Sequence, residues 1–155
     1  MDFAGIKVPD TALVRDAMDL SRSLLEPFLF NHVMRSWLFG ILLSEAAEVA
    51  PDAELLAIAA TLHDLGLTKR YTAENRFEVD GANAAREFLN ERGIPAQRTQ
   101  LVWDAIALHT TPTLVLHKCC PTCHERRHCE SWDTSSATLA HRQYSQTRFR
   151  NPHSP

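Results

Sequence analysis

Two histidines and an aspartate stand where apolar side chains are expected. His32 lies within PFLFNHVMRSWLFGILL, a stretch apolar on almost every side, and His63 and Asp64 close the apolar run LLAIAATLHD. Burying an imidazole or a carboxylate costs several kcal/mol unless the group is paired or coordinated. Coordination resolves that cost, because neutral imidazole nitrogen and carboxylate oxygen both suit a divalent cation. Each histidine taken alone reads more simply as a satisfied core residue. Three features coincide here: a His inside an apolar helix, a His-Asp pair ending the next one, and a glycine close behind. That coincidence favours a metal site formed by His32, His63 and Asp64. A cation held there would lower the pKa of a bound water to about 7, making hydroxide available at neutral pH.

Weaker candidates surround these three. Asn31 precedes His32, and Arg35 and Ser36 follow it at i+3 and i+4, on the same helical face. Asn31 and Arg35 are candidates to support His32 by hydrogen bonding or to contact substrate. His109 ends a helical stretch, where it is either an added ligand or substrate contact, or a histidine favoured by the helix dipole. Glu78 and Asp80 sit in RFEVDGA, read as a loop entering a helix. They are the candidate catalytic carboxylates, although Asp80 also reads as an ordinary N-cap.

Five helices must position these groups. Residues 11–25 place Leu13, Ala17, Leu20 and Leu24 at helical spacing behind Asp10, the expected N-cap. A second helix opens at Pro27 and runs to about Ala50. Its apolar side chains on most faces predict burial on most faces, with Trp37 and Phe39 as core or pocket residues. A third starts at Asp52, and Gly66 is expected to end it. Residues 67–79 read as a polar loop. A fourth helix covers 80–92 up to Gly93, and a fifth runs from Pro95 to the Thr-Thr-Pro at 110–112. No segment shows clear strand alternation, so the fold class is all-α.

The chain divides near Lys118. Residues 1–118 contain no cysteine and carry 11 Lys and Arg against 16 Asp and Glu, a net of −5. Residues 119–155 hold all 4 cysteines, with 5 basic against 3 acidic residues, a net of +2. Too few apolar side chains fall in this second segment for it to fold unaided, so it is expected to be a disordered tail. Its CPTCH at 120–124 has the spacing of haem attachment, and Cys120, Cys123, His128 and Cys129 offer zinc ligands at cramped spacing. The overall net charge of −3 gives no basis for nucleic acid or an anionic membrane as partner. There is no apolar run of about 20 residues and no secretory leader at the start, so a cytoplasmic protein with a small-molecule substrate is expected. A homo-oligomer is left open.

The segments FNHVMRSWLFG, AATLHDLGLT, RFEVDGANAAREFL and DAIALHT, in this order, resemble the HD-domain superfamily, and within it the cyanamide hydratase-like branch. The resemblance spans roughly residues 10–118. It implies an HD-domain helical bundle of about five helices, with His32, His63 and Asp64 holding a divalent metal, zinc first, or iron or manganese. It places the RFEVDGA loop near the metal, with Glu78 as a proton carrier, and implies hydration of cyanamide to urea. The commoner chemistry of the superfamily, metal-dependent phosphohydrolysis, is the alternative, and a truncated domain with only a binding role is a third reading. Leu67 and Thr68 stand where HD enzymes that cleave the alarmone pyrophosphate have an acidic pair. The superfamily's final Asp ligand transfers to neither Asp104 nor Asp133, and the segment after Lys118 departs from the pattern as a truncation or frameshift would. Without the helices that would follow, helices two, three and five are expected to expose apolar surface.

Overall fold

The computed structural model describes residues 2–3, 5–46 and 50–111. The expected tail at 119–155, with its cysteines, lies outside the described residues. Five helices build the fold: α1 (Ala12–Leu24), α2 (Pro27–Ala46), α3 (Ala53–Leu62), α4 (Phe77–Glu91) and α5 (Ala96–Ala107). A 3-10 turn at Leu65–Leu67 follows α3. A two-residue antiparallel pair, β1 (Asp2–Phe3) with β2 (Ile6–Lys7), precedes them. It is too short to show as alternation in the sequence.

Local chemistry sets the helix ends. Thr11, rather than the expected Asp10, caps α1: its hydroxyl accepts from Val14 N at 3.2 Å. Asp10 instead pairs with Arg15 at 3.0 Å on the surface. Asp52 caps α3 as expected, accepting from the amides of Glu54 and Leu55. Arg98 of α5 then binds both Asp52 and Glu54, at 2.8 and 2.9 Å, tying α5 to the start of α3. Gly93, at φ +67°, ends α4, with Ile94 N donating back to Leu89 O.

The core forms around α3, which packs against each of the other four helices. Leu56, Ala57, Ile58, Ala60 and Leu62 are buried there, while α1 contributes Val14, Ala17 and Met18. Ser21 of α1 donates to Thr61 O at 2.6 Å, satisfying a carbonyl in the last turn of α3. By contrast, α2 is not buried on most faces. Val33, Trp37, Gly40 and Ser44 face inward, but Phe28, Phe39 and Leu42 are 72%, 59% and 44% exposed. Among the described residues α2 packs mainly on α3, so one stripe suffices to join it to the core. Trp37 is a core residue and Phe39 a surface one. The expected apolar exposure is therefore seen on α2 and, among the described residues, not on α3 or α5.

Gly66 does not end α3. The helix closes at Leu62, and Gly66 lies inside the 3-10 turn without the left-handed conformation of a helix-ending glycine. Its role is close approach. A Cβ there would lie 2.0 Å from Phe77 O and 2.7 Å from Gly81 N, both backbone atoms of α4. A Cβ on Gly81 would lie 3.1 Å from both Gly66 N and His63 O. Two facing glycines thus let the start of α4 lie directly on the turn that carries His63 and Asp64. Gly66→Ala is expected to lose about 3 kcal/mol or more in urea unfolding, the upper end of overpacking costs, since backbone must move. Gly81→Ala should cost less, because its contacts are wider and helix propensity offsets part of the strain.

Candidate metal centre

His32 comes from the second turn of α2, while His63 and Asp64 leave α3 at its C-terminal end. The structure brings the three together. One potential ligand atom from each lies within 4.8 Å of the others. Asp64 Oδ2 is 3.3 Å from His63 Nε2 and 3.6 Å from His32 Nε2. Asp64 is buried and His63 nearly so, whereas the His32 side chain is 50% exposed.

The hydrogen bonding of His63 decides what this cluster can do. Its Nδ1 lies 2.7 Å from Ala60 O. A carbonyl only accepts, so Nδ1 carries the proton and donates. Burial pushes the His63 imidazole below its ordinary value and outweighs the opposing pull of Asp64 and of the Ala60 carbonyl; His109 and His32 push it down further. The neutral ring therefore turns a lone pair on Nε2 toward a carboxylate oxygen at 3.3 Å. Two acceptors at that distance repel unless a cation lies between them. Zinc bonds of about 2.0–2.2 Å in tetrahedral array separate neighbouring ligand atoms by about 3.3 Å, which matches the two spacings to Asp64. The donor set thus fits a divalent cation, and the exposed side at His32 leaves room for water or substrate.

His109 lies in the turn after α5. It is not one of the three clustered ligands, but its ring meets that of His63 edge-on at 4.9 Å, and Phe77 packs edge-on against it at 5.6 Å. Its Nδ1 donates to Ile106 O at 2.7 Å, the same i−3 arrangement as His63, so Nε2 again carries the lone pair.

The two carboxylates of RFEVDGA occupy the first turn of α4 rather than a loop, since α4 begins at Phe77. Asp80 is therefore not an N-cap. One oxygen accepts from Ala73 N at 2.8 Å and the other from Asn75 Nδ2 at 2.9 Å, folding the 73–76 segment against the helix. Glu78 is buried, and its Oε1 accepts from Arg76 Nη2 at 2.6 Å and from the Thr110 hydroxyl. Its Oε2 is buried without a partner among the described residues. Burial raises the Glu78 carboxyl, but the Thr110 hydroxyl, its own backbone amide and Arg76 together outweigh that and hold it below the usual carboxylate range. Glu78 is thus ionised at neutral pH: it holds no proton to deliver, and the same depression makes it a weak base.

Asn31 and Arg35 are exposed, and their side chains make no hydrogen bond or ion pair among the described residues. The expected support of His32 by these two is absent; helical spacing puts them beside it but turns them to solvent. Arg76 and Thr110 both lie in segments that the sequence singles out, but their bonds to Glu78 appear only in the fold. Arg76 two residues before Glu78 was a readable signal, but nothing local points to Thr110, 32 residues away.

The family model of the HD domain matches residues 29–144 of the chain, past Lys118 and into the cysteine-containing segment. No curated protein shows a significant match.

Because the folded-state pKa of Glu78 is depressed, its contribution to stability is fully present above the unfolded value of about 4.3. That contribution is lost as pH falls through the lower, folded value. Acid unfolding followed by circular dichroism should show this loss below about pH 4.3. Glu78→Gln, which does not titrate, should be less stable at pH 7 and flatter across that window.

Proposed function

The chain belongs to the HD domain family, and from that premise we propose that it is a metal-dependent enzyme adding water to a small neutral substrate, cyanamide being converted to urea. The family is one of metal-dependent hydrolases and phosphohydrolases, and its members bind divalent metals. The observation that carries the metal reading is the pair of facing acceptors, His63 Nε2 and Asp64 Oδ2, at 3.3 Å. His32, His63 and Asp64 would hold the cation, zinc first, with iron or manganese as alternatives. When bound, the cation supplies Lewis acidity and makes water available as a nucleophile near neutral pH.

The remaining work falls to side chains of the chain itself. Ala60 O fixes the tautomer of His63, so that Nε2 stays a lone-pair donor to a metal. His109 Nε2, an acceptor beside His63, is placed to take a hydrogen from water or substrate. The resemblance makes Glu78 the proton carrier of this set, in its anionic form. Asp80 serves by shaping the segment before α4. Arg35, exposed one turn along from His32, and Asn31 beside it are free to meet substrate at the open side. Hydration adds one water across the nitrile, giving the amide of urea with no group leaving.

The choice of substrate rests on the sequence resemblance. It is supported by what occupies the positions of the acidic pair. Leu67 is largely exposed, and the Thr68 hydroxyl is spent on Leu65 O at 2.6 Å, so neither provides a second acid. The boundary near Lys118 rests on the change of composition there, while the family match runs on to residue 144. Among the described residues no helix is long and apolar enough to cross a membrane. A cytoplasmic location with a small-molecule substrate is part of the same proposal.

The test is direct. The full chain, stripped by chelator and reloaded with zinc, iron(II) or manganese, should bind one cation per chain and form urea from cyanamide. His63→Ala should reduce both to background. Release of phosphate from phosphate esters without urea would move the chain to phosphohydrolysis. Metal binding with neither reaction would leave a binding domain only.

A further inference from the structure

His109 sits where the described fold ends, on a turn rather than a helix. Leu108 closes α5 by donating to Asp104 O, and Thr111 N donates back to Leu108 O at 2.9 Å. These bonds shape the turn but do not attach it to anything. Among the described residues, two contacts join it to the first turn of α4: Phe77 against the His109 ring and the Thr110 hydroxyl on Glu78 Oε1. Arg76 closes this group from outside, reaching Glu78 at 2.6 Å and Thr110 Oγ1 at 3.4 Å. The start of α4, in turn, is seated on the His63–Asp64 turn by Gly66 and Gly81. A continuous chain of contacts therefore runs from the candidate ligands through α4 and Glu78 to Thr110, and returns through His109 to His63.

We infer that Thr110 is a positioning residue of the metal centre: its bond to the buried Glu78 carboxylate clasps the turn 108–111 to α4 and so sets the His109 imidazole against His63. This rests on the metal reading above and adds to it a residue outside the candidate ligand set, the last of the DAIALHT segment. A carboxylate is a costly anchor when buried, and an apolar contact could hold the turn more cheaply. A hydroxyl on a carboxylate, however, is directional in a way apolar packing is not. Phe77 can slide across His109; the Thr110–Glu78 bond fixes where along α4 the turn must lie.

Three variants of the full chain test this: Thr110→Val, which keeps the shape and removes the donor; Thr110→Ser, which keeps the donor; and Thr111→Val, which removes a neighbouring hydroxyl bonded only within the turn. Two readouts are taken at one fixed pH: the imidazole 15N shifts of His109 in metal-free protein, and zinc affinity by competition with a chromophoric chelator. Thr110→Val should move the His109 signals and weaken zinc binding about tenfold or more, as loss of support for a metal ligand does. Thr110→Ser should restore both, and Thr111→Val should change neither appreciably. Unchanged His109 signals in Thr110→Val would overturn the inference, as would equal effects of Thr110→Val and Thr111→Val. A wild-type chain that fails to bind zinc defeats the metal reading, and with it the role assigned to Thr110 at a metal centre. The metal-free 15N comparison still shows, in that case, whether the clasp itself exists. Should Thr110→Val unfold, Thr110→Ala, which removes the donor without placing a methyl against the carboxylate, is read by the same signals, and unchanged His109 signals there would overturn the inference.

Discussion

The approach of two backbones at Gly66 and Gly81 is the constraint on which the site depends. A single methyl group at Gly66 would overlap the carbonyl of Phe77, so the absence of a side chain there sets the height at which α4 rests on the HD turn. Everything that α4 brings follows from that height. Phe77 reaches His109, Glu78 reaches Thr110, and Asp80 gathers the preceding segment. The ligand pair itself is a local product of α3: His63 bonds back to Ala60, and Asp64 is the next residue. The ligand pair comes from one helix end, and its surroundings come from a glycine contact.

The cluster also illustrates why buried polar groups identify sites. His63 is pressed toward neutrality by burial, and Asp64 is buried beside it. Neither can satisfy the other without a proton or a cation, and the Ala60 carbonyl has already taken the only proton of the neutral ring. A packed core would not keep such a pair for stability, since apolar residues of similar size cost less. Ser21 and Thr61, equally buried, show the contrast: each hydroxyl donates to a backbone carbonyl, and nothing is left unmatched.

Much of this was legible in the sequence because the signals were local. Five helices, the caps at Asp52 and Gly93, and the meeting of His32, His63 and Asp64 all follow from spacing and from polar residues in apolar surroundings. Other features were not legible because they depend on contacts between distant segments. Gly66 reads as a helix stop, and only the position of α4 shows that it makes room instead. The start of α4 reads as Asp80 because an aspartate there suits an N-cap, whereas the observed N-cap, Arg76, makes no side-chain capping bond. The composition of α2 suggested burial on most faces, yet helical propensity and one inward stripe were enough to form it. Thr110 closes the DAIALHT segment, but its bond to Glu78, 32 residues earlier, leaves no mark in the sequence.

One asymmetry of the cluster has a kinetic consequence. His63 and Asp64 are adjacent in the chain and fixed to the core, whereas His32 stands half in solvent on α2, a helix that packs along one stripe. A cation captured here would meet two ligands already in register and then be closed upon by the third. Release would run in the reverse order, beginning with His32. The lifetime of a bound ion would then be governed by how often the inward stripe of α2 parts from α3, so residence time at the centre becomes a property of one helix–helix seam and not of the ligands alone.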